Sequence, residues 1–130
     1  KLETKKTFDT IYKKILNLRE KLNKFIEKIL SKNKIIHGYG ASTKGNVLLQ
    51  FFKLNNDMIK YIADRNYQKK NLFTPGTKIK IVTEKFSRLL KPDYYLVLPW
   101  HFKDEILKRE KQIRKSGTKF IFPLPKLLIK

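Results

Sequence analysis

The chain has 130 residues, which is one domain with room for a real core, and an apolar share of 41% argues against disorder. No apolar run approaches the roughly 18 residues of a membrane span, and the first residues lack the pattern of a signal peptide. Cysteine is absent and His37 and His101 are the only histidines, which excludes disulfides and thiolate metal sites and leaves no multi-histidine metal site. The net charge is +20, but the lysines run along the whole length instead of clustering among aromatic residues. That distribution reads as a solvated lysine surface with non-specific attraction to polyanions, not as a specific nucleic-acid interface. The sequence starts at Lys1 and not at methionine, so the expectation is a piece of something longer.

Residues 5–30 carry apolar side chains at steps of three and four: Phe8, Ile11, Tyr12, Ile15, Leu18, Leu22, Phe25, Ile26 and Ile29. This is one stripe on a helix free of glycine and proline, and it suits core or domain-contact surface better than a strict heptad seam. Residues 1–32 are therefore expected to form a long helix, a candidate linker from a preceding domain, and 33–130 an α/β domain.

After Asn33 the pattern changes. Residues 34–37 read as a buried strand, 38–46 as a glycine turn and 44–54 as a helix. Residues 58–63 and 78–82 read as strands on either side of a loop with a Pro75-Gly76 turn, the second near a sheet edge. Thr83 caps a short helix to Leu90, 94–98 is a central strand, 103–115 an amphipathic helix closed at Gly117, and 119–122 the last strand. Alternating elements with short connections predict a Rossmann-like parallel sheet of about five strands, ordered 3-2-1-4-5, with helices on both faces. Ligands of such sheets bind at the carboxyl ends of the strands, beside the switch point between the first and fourth. The turn 38–46, Asp64-Arg65-Asn66 and Trp100-His101-Phe102 converge there.

The turn reads Gly38-Tyr39-Gly40-Ala41-Ser42-Thr43-Lys44-Gly45-Asn46. A strand, a glycine turn and a helix start present backbone amides to an anion, and Ser42, Thr43, Lys44 and Asn46 add side-chain donors. A phosphate-binding P-loop fails, because Asn46 and Val47 stand where Lys and Ser or Thr are required. A dinucleotide fingerprint is partial: Thr43 takes the third glycine's place, although Asp64 sits about twenty residues on, where an acid bonds a ribose hydroxyl. A nicotinamide-binding oxidoreductase domain and a basic nucleic-acid-binding module are the two alternatives. His101 is the candidate acid or base, Arg65 a phosphate contact or partner of Asp104 or Glu105, Trp100 a stacking surface or core residue. His37 reads as a packed structural histidine.

With Asp64-Arg65-Asn66, Thr74-Pro75-Gly76-Thr77, Pro92-Asp93-Tyr94, Trp100-x-Phe102-x-Asp104-Glu105-Ile106 and Gly117-Thr118-Lys119-Phe120-Ile121, the turn makes an ordered series of six motifs. The series, over residues 34–125, resembles the C-terminal domain of the sugar C-methyltransferases that act on nucleotide-activated keto-deoxysugars in deoxysugar biosynthesis. The resemblance implies a cytoplasmic parent enzyme with a zinc-binding N-terminal domain and a middle domain holding S-adenosylmethionine, both outside this fragment. It implies that residues 38–46, Asp64, Arg65, Trp100 and His101 line the nucleotide-linked sugar, that the fragment binds no cofactor or metal itself, and that alone it is inactive. Tyr67, Asn71, Lys80 and His101 depart from frequent family residues; Asn71 replaces a glycine but tolerates a left-handed turn.

Overall fold

The computed structural model describes residues 2–130, with side chains from Thr4 onward. Helix α1 spans Leu2–Ser31. It ends where Asn33 takes a left-handed φ of 60°, with Lys34 N–H donating to Ile29 C=O and Asn33 N–H to Leu30 C=O. Those paired bonds satisfy carbonyls the last turn would otherwise leave open. Then follow β1 (Ile36–Tyr39), α2 (Thr43–Phe51), β2 (Ile62–Asp64), β3 (Ile81–Thr83), α3 (Glu84–Leu89), β4 (Tyr94–Val97), α4 (Lys103–Arg109), α5 (Lys111–Lys115), β5 (Lys119–Phe122) and β6 (Leu128–Ile129).

The sheet order is β3-β2-β1-β4-β5-β6. The first five strands are parallel, in the expected Rossmann-like order, and β6 adds antiparallel to β5 at the edge. Successive side chains on the central strands face opposite layers. Ile36, Ile62, Leu96 and Ile121 face α1 and α2, whose Leu22, Ile26, Ile29 and Leu49 complete that core. Tyr39, Ala63, Tyr95, Val97, Phe120 and Phe122 face the other layer, with Ile106 of α4 and Ile113 of α5. Edge-on contact of Phe25 with Tyr94 at 5.7 Å and the Arg19 guanidinium over the Phe51 ring at 5.2 Å fix α1 across the first layer.

Three local expectations need correcting. Residues 58–63 give only a short strand, because Met58 and Ile59 N–H turn back to Asn55 C=O before Lys60 N–H joins Ile36. At 78–82, Lys78 takes a φ of 56° and Phe73 bridges Lys80 antiparallel, so this segment first folds on its own loop and becomes strand only from Ile81. The helix over 103–115 is broken at Glu110 (φ −98°, ψ 27°). There the buried carboxylate turns inward and accepts from Arg88 Nη2 at 2.5 and 2.9 Å.

The second layer also encloses a polar chain. His37 Nδ1 lies 2.6 Å from Ser87 Oγ, which lies 2.6 Å from Tyr95 Oη. Burial penalises the imidazolium and lowers the His37 pKa from 6.5 to about 4. The fold thus holds His37 neutral, whereas the unfolded chain takes up its proton below pH 6.5. This stabilisation is complete above pH 6.5 and declines as pH falls towards 4, by on the order of 3 kcal/mol. Urea unfolding from pH 7 to 4.5 should show that decline, and His37→Asn should flatten it while lowering stability at pH 7.

Candidate functional site

At the carboxyl ends of β1 and β4, the two strands between which the sheet order reverses, a cavity of about 830 Å3 opens. Ser42, Thr43 and Lys44 form one wall, and Pro99, Trp100, His101 and Phe102 the opposite one. Val47, Leu48, Leu98 and Leu124 give it an apolar base. Of the three segments expected to converge, two meet across this space.

The first wall is the start of α2. Gly40 leaves β1 with a φ of 87°, a conformation strained for any residue with a side chain, and a Cβ there would lie 3.0 Å from Pro99 Cδ. Ser42 is the N-cap, its Oγ accepting from Gly45 N–H at 3.0 Å. The Thr43 and Lys44 amides belong to the unpaired first turn and carry the positive end of the helix dipole. The side chains of Ser42, Thr43 and Lys44 are exposed. Gly45 lies against β4, where a Cβ would come within 2.8 Å of Leu98 Cβ. This close approach brings the amides to the cleft.

Asp64 works behind the turn. One carboxylate oxygen accepts from Ala41 N–H and the other from Asn66 N–H, both at 2.7 Å. Lys69 Nζ donates to Ala41 C=O at 2.6 Å and pairs with Asp64 at 3.8 Å. Lys69 escaped the sequence reading, where it was one lysine among many. Arg65 pairs with Glu84 at 3.3 Å, not with Asp104 or Glu105, which occupy the first turn of α4. Tyr39 is buried against Tyr95 and Phe120, with its hydroxyl bonded to Arg109. Gly38 lies in β1 over Ile62, Ala41 is buried, and Asn46 is half-buried with an Oδ1 that has no partner among the described residues. The loop at 74–77 braces the flank of α2, since Gln50 Nε2 donates to Pro75 C=O at 3.0 Å. Asn71 has the left-handed φ, 69°, that its replacement of glycine requires.

The second wall is a single turn of 3-10 helix, Trp100–Phe102. Trp100 packs on the second core while lining the cleft, so it serves as both core and surface. His101 is exposed between the rings of Trp100 and Phe102, with centroids at 5.6 and 4.3 Å. Leu98 and Leu124 lacked a legible signal, because Leu98 read as the end of the central strand 94–98 and Leu124 as an apolar residue after the last strand.

Another cavity, of about 490 Å3, lies at the amino ends of β4 and β5. Its polar groups are engaged within the fold: Arg88 with Glu84 and Glu110, Asp93 with Ile35 N–H, and Thr118 with Pro92 C=O. The switch-point cavity, with unpaired amides and exposed donors, is the better candidate.

A family model described as the C-methyltransferase C-terminal domain matches residues 1–125. The C-methyltransferase NovU of Streptomyces niveus is 32% identical over 108 residues, which are 83% of this chain and 26% of the relative. The chain thus spans about a quarter of that relative's length.

Gly45→Ala should cost about 1–3 kcal/mol in urea unfolding, because the new methyl meets Leu98. Combined with Leu98→Gly, which removes the Cβ that the new methyl meets at 2.8 Å, its added cost should shrink to under about 1 kcal/mol.

Proposed function

The chain belongs to the C-methyltransferase C-terminal domain family, and from that membership we propose that it is the nucleotide-sugar-holding part of an S-adenosylmethionine-dependent sugar C-methyltransferase. The observation that carries this reading is the cleft in which the start of α2 faces Trp100–Phe102 across an apolar base. A diphosphate fits the Thr43 and Lys44 amides with the Lys44 ammonium beside them. The rings of the opposite wall and the apolar base suit the flat or deoxygenated parts of the same ligand.

A ribose bound in the manner of a dinucleotide would need the Asp64 carboxylate. That carboxylate is already engaged by two amides and Lys69, which argues against both a nicotinamide cofactor and the methyl donor at this turn. We assign the methyl donor, which supplies the electrophilic methyl group, and the structural zinc to the rest of the parent enzyme. Carbon methylation beside a ketone requires removal of an α-proton and a stabilised enolate, whose carbon then takes the methyl group. Our assignment gives this chain binding and orientation, with His101 the one titratable ring at the cleft, and leaves the isolated chain inactive. No described helix is long and apolar enough to cross a membrane, and we place the parent in the cytoplasm.

Calorimetry with thymidine-diphosphate sugars, S-adenosylmethionine and nicotinamide dinucleotides tests this reading. The diphosphate sugars should bind in preference to both others, and Lys44→Ala should weaken them about five- to twentyfold without changing stability. A preference for the methyl donor or a dinucleotide would contradict the assignment.

A further inference from the structure

Helix α1 runs 30 residues, about 45 Å at 1.5 Å per residue, yet only its carboxyl-terminal part is covered. Leu22, Ile26 and Ile29 are at most 4% exposed, whereas Phe8, Ile11 and Tyr12 on the continuation of the same stripe are 67%, 51% and 54% exposed. A stripe that stays apolar about 15 Å beyond its own core exposes large side chains to water, as expected of a contact surface. Two observations bear on what covers it. The matched relative is about four times as long as the segment it shares with this chain, and the family is a C-terminal domain, so the remainder lies on the amino side, from which α1 leads. Over residues 4–15 the helix carries Lys5, Lys6, Lys13 and Lys14 against Asp9, with Lys5 and Lys14 nearest the stripe. A second copy would bring the same lysines together on a chain already at +20, which disfavours self-pairing.

We propose that the amino-terminal half of α1 is a docking helix, whose Phe8–Ile11–Tyr12 face seats in an apolar, acid-rimmed groove on the preceding, methyl-transferring part of the parent enzyme. This rests on the reading of the chain as the C-terminal part of a longer C-methyltransferase. The contact places the cleft of this domain in a fixed relation to the methyl donor, because α1 is one uninterrupted helix from the docking face to the core beneath β1 and β4.

A chimera tests it: NovU with its matched C-terminal segment replaced by residues 1–130 of this chain. Amide hydrogen exchange across residues 8–15 should be at least about tenfold slower in the chimera than in the isolated chain. Phe8→Glu with Ile11→Glu should restore fast exchange, and protection of Leu22–Ile29 in both proteins reports that the domain is folded. Equal exchange at 8–15 with Leu22–Ile29 protected overturns the proposal. So does a concentration-dependent dimer of the isolated chain that protects the same residues. Should the chimera lose protection at Leu22–Ile29, the two substitutions are read in the isolated chain. There the proposal requires an unchanged urea midpoint, and a fall would show that the stripe is core of this domain. Loss of diphosphate-sugar binding with 8–15 still protected would overturn the functional reading alone.

Discussion

Everything at the cleft depends on how closely α2 approaches the end of β4. The helix amides reach the switch point only because Gly45 has no side chain to strike Leu98 and because Gly40 turns the chain through a left-handed conformation against Pro99. The turn is then held from behind, where Asp64 takes the Ala41 amide and Lys69 its carbonyl. Satisfying the Ala41 backbone on that side leaves the Thr43 and Lys44 amides as the free donors of the junction. Steric contact sets the position of these amides, where we propose that the anion binds, and the polar clamp sets their rigidity.

The two ends of the sheet differ in how they treat their polar groups. At the amino ends, Arg88, Asp93 and Thr118 are consumed by internal partners, and the neutral His37–Ser87–Tyr95 chain is sealed inside the layer above. At the carboxyl ends, hydroxyls, an ammonium and a histidine are left exposed around an apolar base. The amino-end cavity thus holds only engaged polar groups, whereas the carboxyl end combines the structural Asp64–Lys69 clamp with exposed donors at the cleft. The general lysine charge does not enter this distinction, because it covers both ends.

Legibility in the sequence follows the physics of each segment. Tyr94–Val97 and Lys119–Phe122 were readable because apolar runs bounded by turn residues have few other fates in a short α/β chain, whereas the first strand, expected at 34–37, runs over Ile36–Tyr39 and takes in the first two residues of the expected turn. Ile59 and Ile79 misled, since both are fully buried yet lie in irregular connections outside the strands; burial and strand are separate properties. The break at Glu110 was invisible because its cause, the ion pair with Arg88, joins residues 22 positions apart. Strand β6 is two residues long, too short for a periodicity to register. At the site, the turn and the aromatic triplet were legible as types of residue at spacings that chemistry uses. The inward use of Asp64, the burial of Tyr39 and the part played by Lys69 were not, since each depends on which side of the chain a neighbour happens to face.

The central claim is that one end of the sheet, and not the other, receives the diphosphate of a nucleotide-linked sugar. Amide chemical shifts of the isolated domain, followed by NMR during titration with a thymidine-diphosphate sugar, test it most directly. The account predicts the largest, saturable changes at Thr43, Lys44 and residues 98–102, with Arg88–Asp93 and Ser116–Thr118 unmoved. Saturable changes centred on Arg88–Asp93 and Ser116–Thr118 instead, with Thr43 and Lys44 silent, would contradict it.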